Sequence, residues 1–198
     1  MIDDRQVQAF WEWLRANARS IASDPENSDL LAELDQRVDL LAPQLSWEIG
    51  PGASRPWQLV LSPNSDRNLR EMARSIVSSA PDIDEWEFHS ARQPKDWDFK
   101  FELMIGTDGS TALIDASDWT FLLLQYRDGM REVVLKANEI PIMTGEERRQ
   151  ACAIVLESVL GEEMMLDLIG EFELVNELEP SLAGKERPIQ SLRSSFKF

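Results

Sequence analysis

The chain has 198 residues, 43% of them hydrophobic and 28% charged, so it can bury a core and is too apolar for disorder. Its net charge of −16 opposes nucleic-acid phosphates and anionic membrane surfaces and favours a basic protein partner. One cysteine, Cys152, excludes an internal disulfide framework, and no apolar run approaches the roughly 18–20 residues that cross a bilayer.

The start, Met1-Ile2-Asp3-Asp4-Arg5, lacks the basic and apolar regions of a signal peptide, so a cytoplasmic location is expected. The length fits a single α+β domain over residues 1–179, followed by a basic, poorly structured tail over 180–198. Acid is densest in residues 139–179, where eleven acids face two bases, a net −9. The tail carries +3.

Val7, Phe10, Trp11, Leu14, Ala18 and Ile21 recur at helical spacing and predict a first helix. Asp24-Pro25 reads as the start of a second, with Leu30, Leu31, Leu34, Val38 and Leu41 on its face and Pro43 as its stop. Residues 1–45 therefore predict a helical hairpin.

Period two takes over in the sheet-rich stretch 46–138. Trp47 and Ile49, then Trp57, Leu59 and Leu61, alternate around the turn signal Gly50-Pro51-Gly52. A helix with Leu69, Met72, Ala73, Ile76, Val77 and Ala80 on one face runs up to Pro81. Strands follow at Trp86–Phe88 and Phe99–Ile105. Thr107-Asp108-Gly109 is read as a tight turn into a strand at Thr111–Asp115. Trp119–Tyr126 reads as a strand covered on both faces, and Asp128-Gly129 as a hairpin turn before Val133–Lys136.

The acidic stretch 139–179 is helical. Thr144 and Glu147 fit a capping box, Gly161 suits a C-terminal cap, and Met164, Met165, Leu168 and Ile169 predict a second short helix. Phe172 and Leu174 alternate with acids and suggest a last strand. The fold expected is α+β: the N-terminal hairpin packed on a mostly antiparallel sheet of about six or seven strands, with further helices near the C-terminus.

Several passages resemble a family of bacterial proteins of unknown function. They are Phe10-Trp11-Glu12-Trp13-Leu14, Ala80-Pro81, Trp86-Glu87-Phe88 with Arg92 and Pro94, and Leu160-Gly161-Glu162 followed by Ile169-Gly170. Where the family pattern has a more aromatic and basic run, this chain has His89-Ser90-Ala91-Arg92. The resemblance implies an α+β domain and carries over no activity and no catalytic residue.

Few routes to chemistry are visible. The single histidine, His89, falls on the wet face of a strand, and one histidine with one remote cysteine is too little for zinc. There is no Gly-x-Ser-x-Gly elbow, no Gly-rich dinucleotide fingerprint and no P-loop. Cys152 sits among alanines on a helix and reads as core. The clusters Asp82/Asp84/Glu85/Glu87 and Asp108/Asp115/Asp118 lack the acid spacing of a calcium loop and read as solvated faces. No cofactor, metal or catalytic residue is expected.

Seven tryptophans are the compositional excess. Five fall on apolar faces. Trp13 lies off the first helical stripe and Trp97 lies in a loop, so both are candidate partner contacts. Arg92 and His89 join them, as do Glu162, Glu163 and Asp167 of the acidic stretch. The function expected is an interaction module of immunity, inhibitor or adaptor type, for a basic partner. The alternative is a small-ligand-binding protein or enzyme whose site gathers scattered carboxylates with Arg92, His89 and Trp97. No oligomeric state is legible.

Overall fold

Helix α1 (Asp4–Ser23) buries Val7, Phe10, Trp11, Leu14, Ala18 and Ile21, the same six residues that carry the period in the sequence. Asp3 caps it, accepting the Arg5 amide at 3.0 Å. Helix α2 (Ser28–Leu41) begins later than Asp24-Pro25 suggested. Its cap is Asn27, whose side chain accepts the Leu30 amide at 3.1 Å, while Asp24 ends α1. The computed structural model describes residues 3–106, 109–138 and 140–196. Thr107 and Asp108 of the expected turn, and Lys197 of the tail, lie outside them.

The fold is mixed α+β: helices first, then strands, then helices again. The chain divides into two compact units, Met1–Arg92 and Gln93–Phe198, where a single domain over 1–179 was expected. In the first unit, β1 (Ser46–Pro51) and β2 (Trp57–Ser62) form an antiparallel pair. Helix α3 (Arg67–Ser78) then crosses over to β3 (Trp86–His89), which lies parallel to β2. The core packs Leu59, Leu61, Ala73, Ile76 and Trp86 against the α1 and α2 stripes.

In the second unit, β4 (Lys100–Ile105) and β5 (Ser110–Asp115) pair only with each other among the described ladders. Strand β6 (Thr120–Gln125) pairs with β7 (Arg131–Lys136) through the Asp128-Gly129 turn. Helices α4 (Gly145–Leu160) and α5 (Glu162–Leu168) cross over to β8 (Glu171–Val175), parallel to β7. Thr144 and Glu147 form the expected capping box, and Gly161 ends α4 at φ +82°.

Two expectations are corrected. The single sheet of six or seven strands is instead three small sheets, ordered β1-β2-β3, β4-β5 and β8-β7-β6-β9. Here β9 is the short strand Arg187–Pro188. Alternation in sequence tells which residues face a core, not which strands share a sheet. The ladders are still mostly antiparallel, four to two.

Secondly, the segment expected to be a poorly structured tail carries regular structure within residues 180–196. After β9 come a 3₁₀ turn (Ile189–Ser191) and α6 (Leu192–Ser195), and Ile189, Leu192 and Phe196 are buried in the core of the second unit. Three apolar anchors outweigh the polar composition of the segment.

Candidate functional site

The seven residues singled out in the sequence are divided between the two units, Trp13, His89 and Arg92 in the first and Trp97, Glu162, Glu163 and Asp167 in the second. Trp13 is half-buried, with the Arg37 guanidinium 4.9 Å above its ring. Arg37 also holds Glu33 at 2.6 Å. That bond first, and Trp13 after it, keep the Glu33 carboxyl below its ordinary range. Trp97, in the other unit, is half-buried against Phe99 and Phe101, at 5.2 and 6.0 Å. Its indole nitrogen is buried with no hydrogen-bond partner among the described residues. Neither tryptophan stands free as an exposed anchor.

Glu162 is fully buried at the start of α5, which removes it from the expected acidic face. Glu163 is half-buried and Asp167 exposed. Cys152 is fully buried and its thiol is pushed far up by burial, so it has no thiolate to offer.

Arg92 and His89 belong to a polar face of the first sheet. The pairing places Glu48, Val60 and His89 in one row and Gly50, Gln58 and Glu87 in the next. Arg92 donates from Nε to Glu48 at 2.5 Å, and from Nη2 to Ser46 Oγ at 3.0 Å and Asn64 Oδ1 at 3.2 Å. His89 Nε2 lies 3.2 Å from Glu87 Oε1.

Glu87 is the most heavily bonded carboxylate here. The β1–β2 loop wraps it, so that it accepts the amides of Ala53 at 2.6 Å, Ser54 at 2.9 Å and Arg55 at 3.1 Å, and the Ser54 hydroxyl. These bonds, the Ser54 hydroxyl first, bring its pKa down to about 2. Gly52 permits the wrap, because a Cβ there would lie 2.5 Å from the Arg55 carbonyl oxygen and 2.9 Å from the Glu87 carboxyl carbon. Three successive amides make an anion-binding concavity, and an internal carboxylate fills it. With a pKa near 2 the group is too weak a base, and too fully ionised as an acid, for proton transfer near neutral pH. Arg55 is likewise committed, to Asp82 at 2.8 Å and to the carbonyls of Ile83 and Trp86. This face is a latch.

Among the described residues no three histidines, cysteines or carboxylates gather as metal ligands. Asp115 is turned onto the Ser117 amide and hydroxyl and lies 3.5 Å from Lys100. Asp108 lies outside the described residues.

A different surface, which residue spacing does not mark, lies at the β6–β7 turn. Tyr126 and Met130 close the turn, the Tyr126 amide donating to the Met130 carbonyl at 2.9 Å. Asp128 accepts the Met130 amide at 3.0 Å, and Gly129 adopts φ +89°. Both large side chains stay in solvent, Tyr126 at 43% and Met130 at 40% exposure. The Tyr126 hydroxyl donates to Glu132. That bond first, then burial, then the charges of Glu132, Asp128 and Glu173, raise its pKa.

Strand β8 brings the remaining acids. Its parallel register sets Glu171 directly beside Glu132, a like-charge pair, and Glu173 beside Val134. Gly170 gives Met130 its place, since a Cβ there would lie 2.5 Å from the Met130 Cγ. A phenol and a thioether thus lie open, and Glu132, Asp128 and Glu173 are the charges that act on the phenol. The Asp128-Gly129 turn was legible in the sequence. The meeting of β7 with β8 was not, because helices α4 and α5 separate them.

No helix among the described residues is long and apolar enough to cross a membrane. No protein-family model matches this chain, and no curated protein or solved structure matches it either.

Proposed function

We propose that the chain is a cytoplasmic protein-interaction module, of immunity, inhibitor or adaptor type, that receives a basic segment of a partner protein at the Tyr126 surface. The observation that carries this reading is the convergence of Asp128, Glu132 and Glu173 on an exposed tyrosine. An aromatic ring beside carboxylates suits a lysine or arginine side chain, which gains an ion pair and a contact with the ring face together. Tyrosine is also enriched among the residues that dominate interface energies. The net charge of −16 would steer such a partner. The resemblance to the bacterial family belongs to the same proposal and adds no activity to it.

The alternative site of scattered carboxylates, Arg92, His89 and Trp97 draws little support. Arg92 and His89 are bonded to their own neighbours, and Trp97 is packed on Phe99 and Phe101.

A lysine- and arginine-rich peptide, followed by fluorescence anisotropy, tests the reading. Tyr126→Ala should weaken binding by about 1 kcal/mol or more, roughly fivefold in Kd. Glu171→Gln with Glu173→Gln should flatten its salt dependence. Equal binding by the Tyr126→Ala protein would sink the proposal. The side chain is exposed at a turn, so circular dichroism of the variant should match the parent.

A further inference from the structure

The first unit holds a cleft that this reading leaves unused. It lies between α1 and the C-terminal turn of α3 and has a volume of about 550 Å³, within the ~300–1,000 Å³ usual for small-molecule sites. We propose that it binds an organic cation: a protonated amine carried on an apolar, aromatic-sized body.

The floor is apolar and fixed. Val7 and Trp11 of α1 line it, together with Pro81. Trp11 cannot swing, because its indole N–H donates to the Ile76 carbonyl at 3.1 Å and its ring meets those of Phe10 and Phe88 edge-on, each at 4.9 Å. A preformed apolar floor holds a flat hydrocarbon body without paying to order itself first.

The opposite wall presents acceptors. Ser78 Oγ donates to the Ser75 carbonyl and Ser79 Oγ to the Ile76 carbonyl, each at 2.8 Å. With both hydroxyl protons spent on the backbone, these serines turn only lone pairs outward. The wall is also the C-terminal end of α3, the negative pole of its dipole, and its last turn has no basic residue. Asp4 and Glu12 add two carboxylates from the α1 side, Glu12 steadied by Gln8 Nε2 at 2.8 Å.

Acceptors and negative charge on both walls call for a ligand that brings donors and positive charge. An ammonium has three donors and no acceptor. A carboxylate or phosphate would meet the wrong pole of the helix and two like charges. Arg15 is the only base among the described lining residues, at the far end of the α1 stripe from Asp4. It works against a cation, so its removal should help binding.

Titration of the full chain with 2-phenylethylamine and, separately, with phenylacetate tests this by calorimetry, with the indole N–H resonances recorded in parallel. The amine should bind at least tenfold more tightly than the acid and shift one indole signal, that of Trp11. Asp4→Asn and Glu12→Gln should each weaken the amine several-fold, and Arg15→Gln should strengthen it. All three positions are exposed, so the variants should fold. Preference for phenylacetate, indifference to the Asp4 and Glu12 changes, or no binding of either probe up to about 10 mM would each overturn the proposal. None of these outcomes bears on Tyr126, which lies in the other unit.

Discussion

Glu87 shows how one side chain fixes a loop and sets a pH limit. Its pKa of about 2, against an ordinary 4.5, means that the folded state prefers the ionised form. The stability this contributes is complete above about pH 4.5 and is lost as the pH falls through about 2. Glu33, Asp115, Glu147 and Glu186 are held low as well and act in the same sense. Glu87→Gln keeps the shape but turns an amide NH₂ toward donors. It should cost on the order of 2 kcal/mol at pH 7 and much less near pH 2. Urea denaturation at both pH values checks this, and an equal loss at both would show that the charge is not what the loop recognises. The pattern Trp86-Glu87-Phe88 was legible as a strand. That Glu87 would be sheathed by residues 53–55 was not, because the bonds span more than thirty positions.

At the scale of elements, the helix signals held best where their chemistry is local. The capping box is an example. Thr144 Oγ accepts the Glu147 amide, and the Glu147 carboxylate accepts the Thr144 amide at 2.6 Å. The fold adds a second task. Glu147 also accepts the Gly106 amide at 2.6 Å, and so ties the start of α4 to the end of β4. Thr144→Ala should therefore cost about 1 kcal/mol, as an ordinary cap does, and Glu147→Ala about 2 kcal/mol. Thermal melts of the two variants should separate accordingly. A loss no larger for Glu147→Ala would mean that the tie to β4 is energetically idle. Strand signals were less complete. Alternation located β3 and β8 but not their parallel partners, since each partner lies across a helical crossover. The start of α2 was misplaced for a local reason: Asp24 and Asn27 are both good caps three residues apart, and the turn between them decided which one was used.

For the whole molecule, the last segment is the clearest divergence from its composition. Residues 180–198 carry +3 and read as a tail, yet Leu192 is fully buried with Ile189 and Phe196 beside it. Leu192→Ala should cost about 2–4 kcal/mol, the range for a large-to-small change in a packed core. A denaturation midpoint unchanged by the substitution would return the segment to the status of a tail.

The acidity of the chain, the buried stripe of α1 and the capping box of α4 were set by the sequence alone, because charge is a sum and periodicity and capping are local properties. The division into two units, the three sheets, the sheathing of Glu87 and the burial of Glu162 were decided by tertiary structure. So was the gathering of Asp128, Glu132 and Glu173 around Tyr126. Each of these depends on which distant segments meet, and pairing across a crossover leaves no mark in the spacing of residues along the chain.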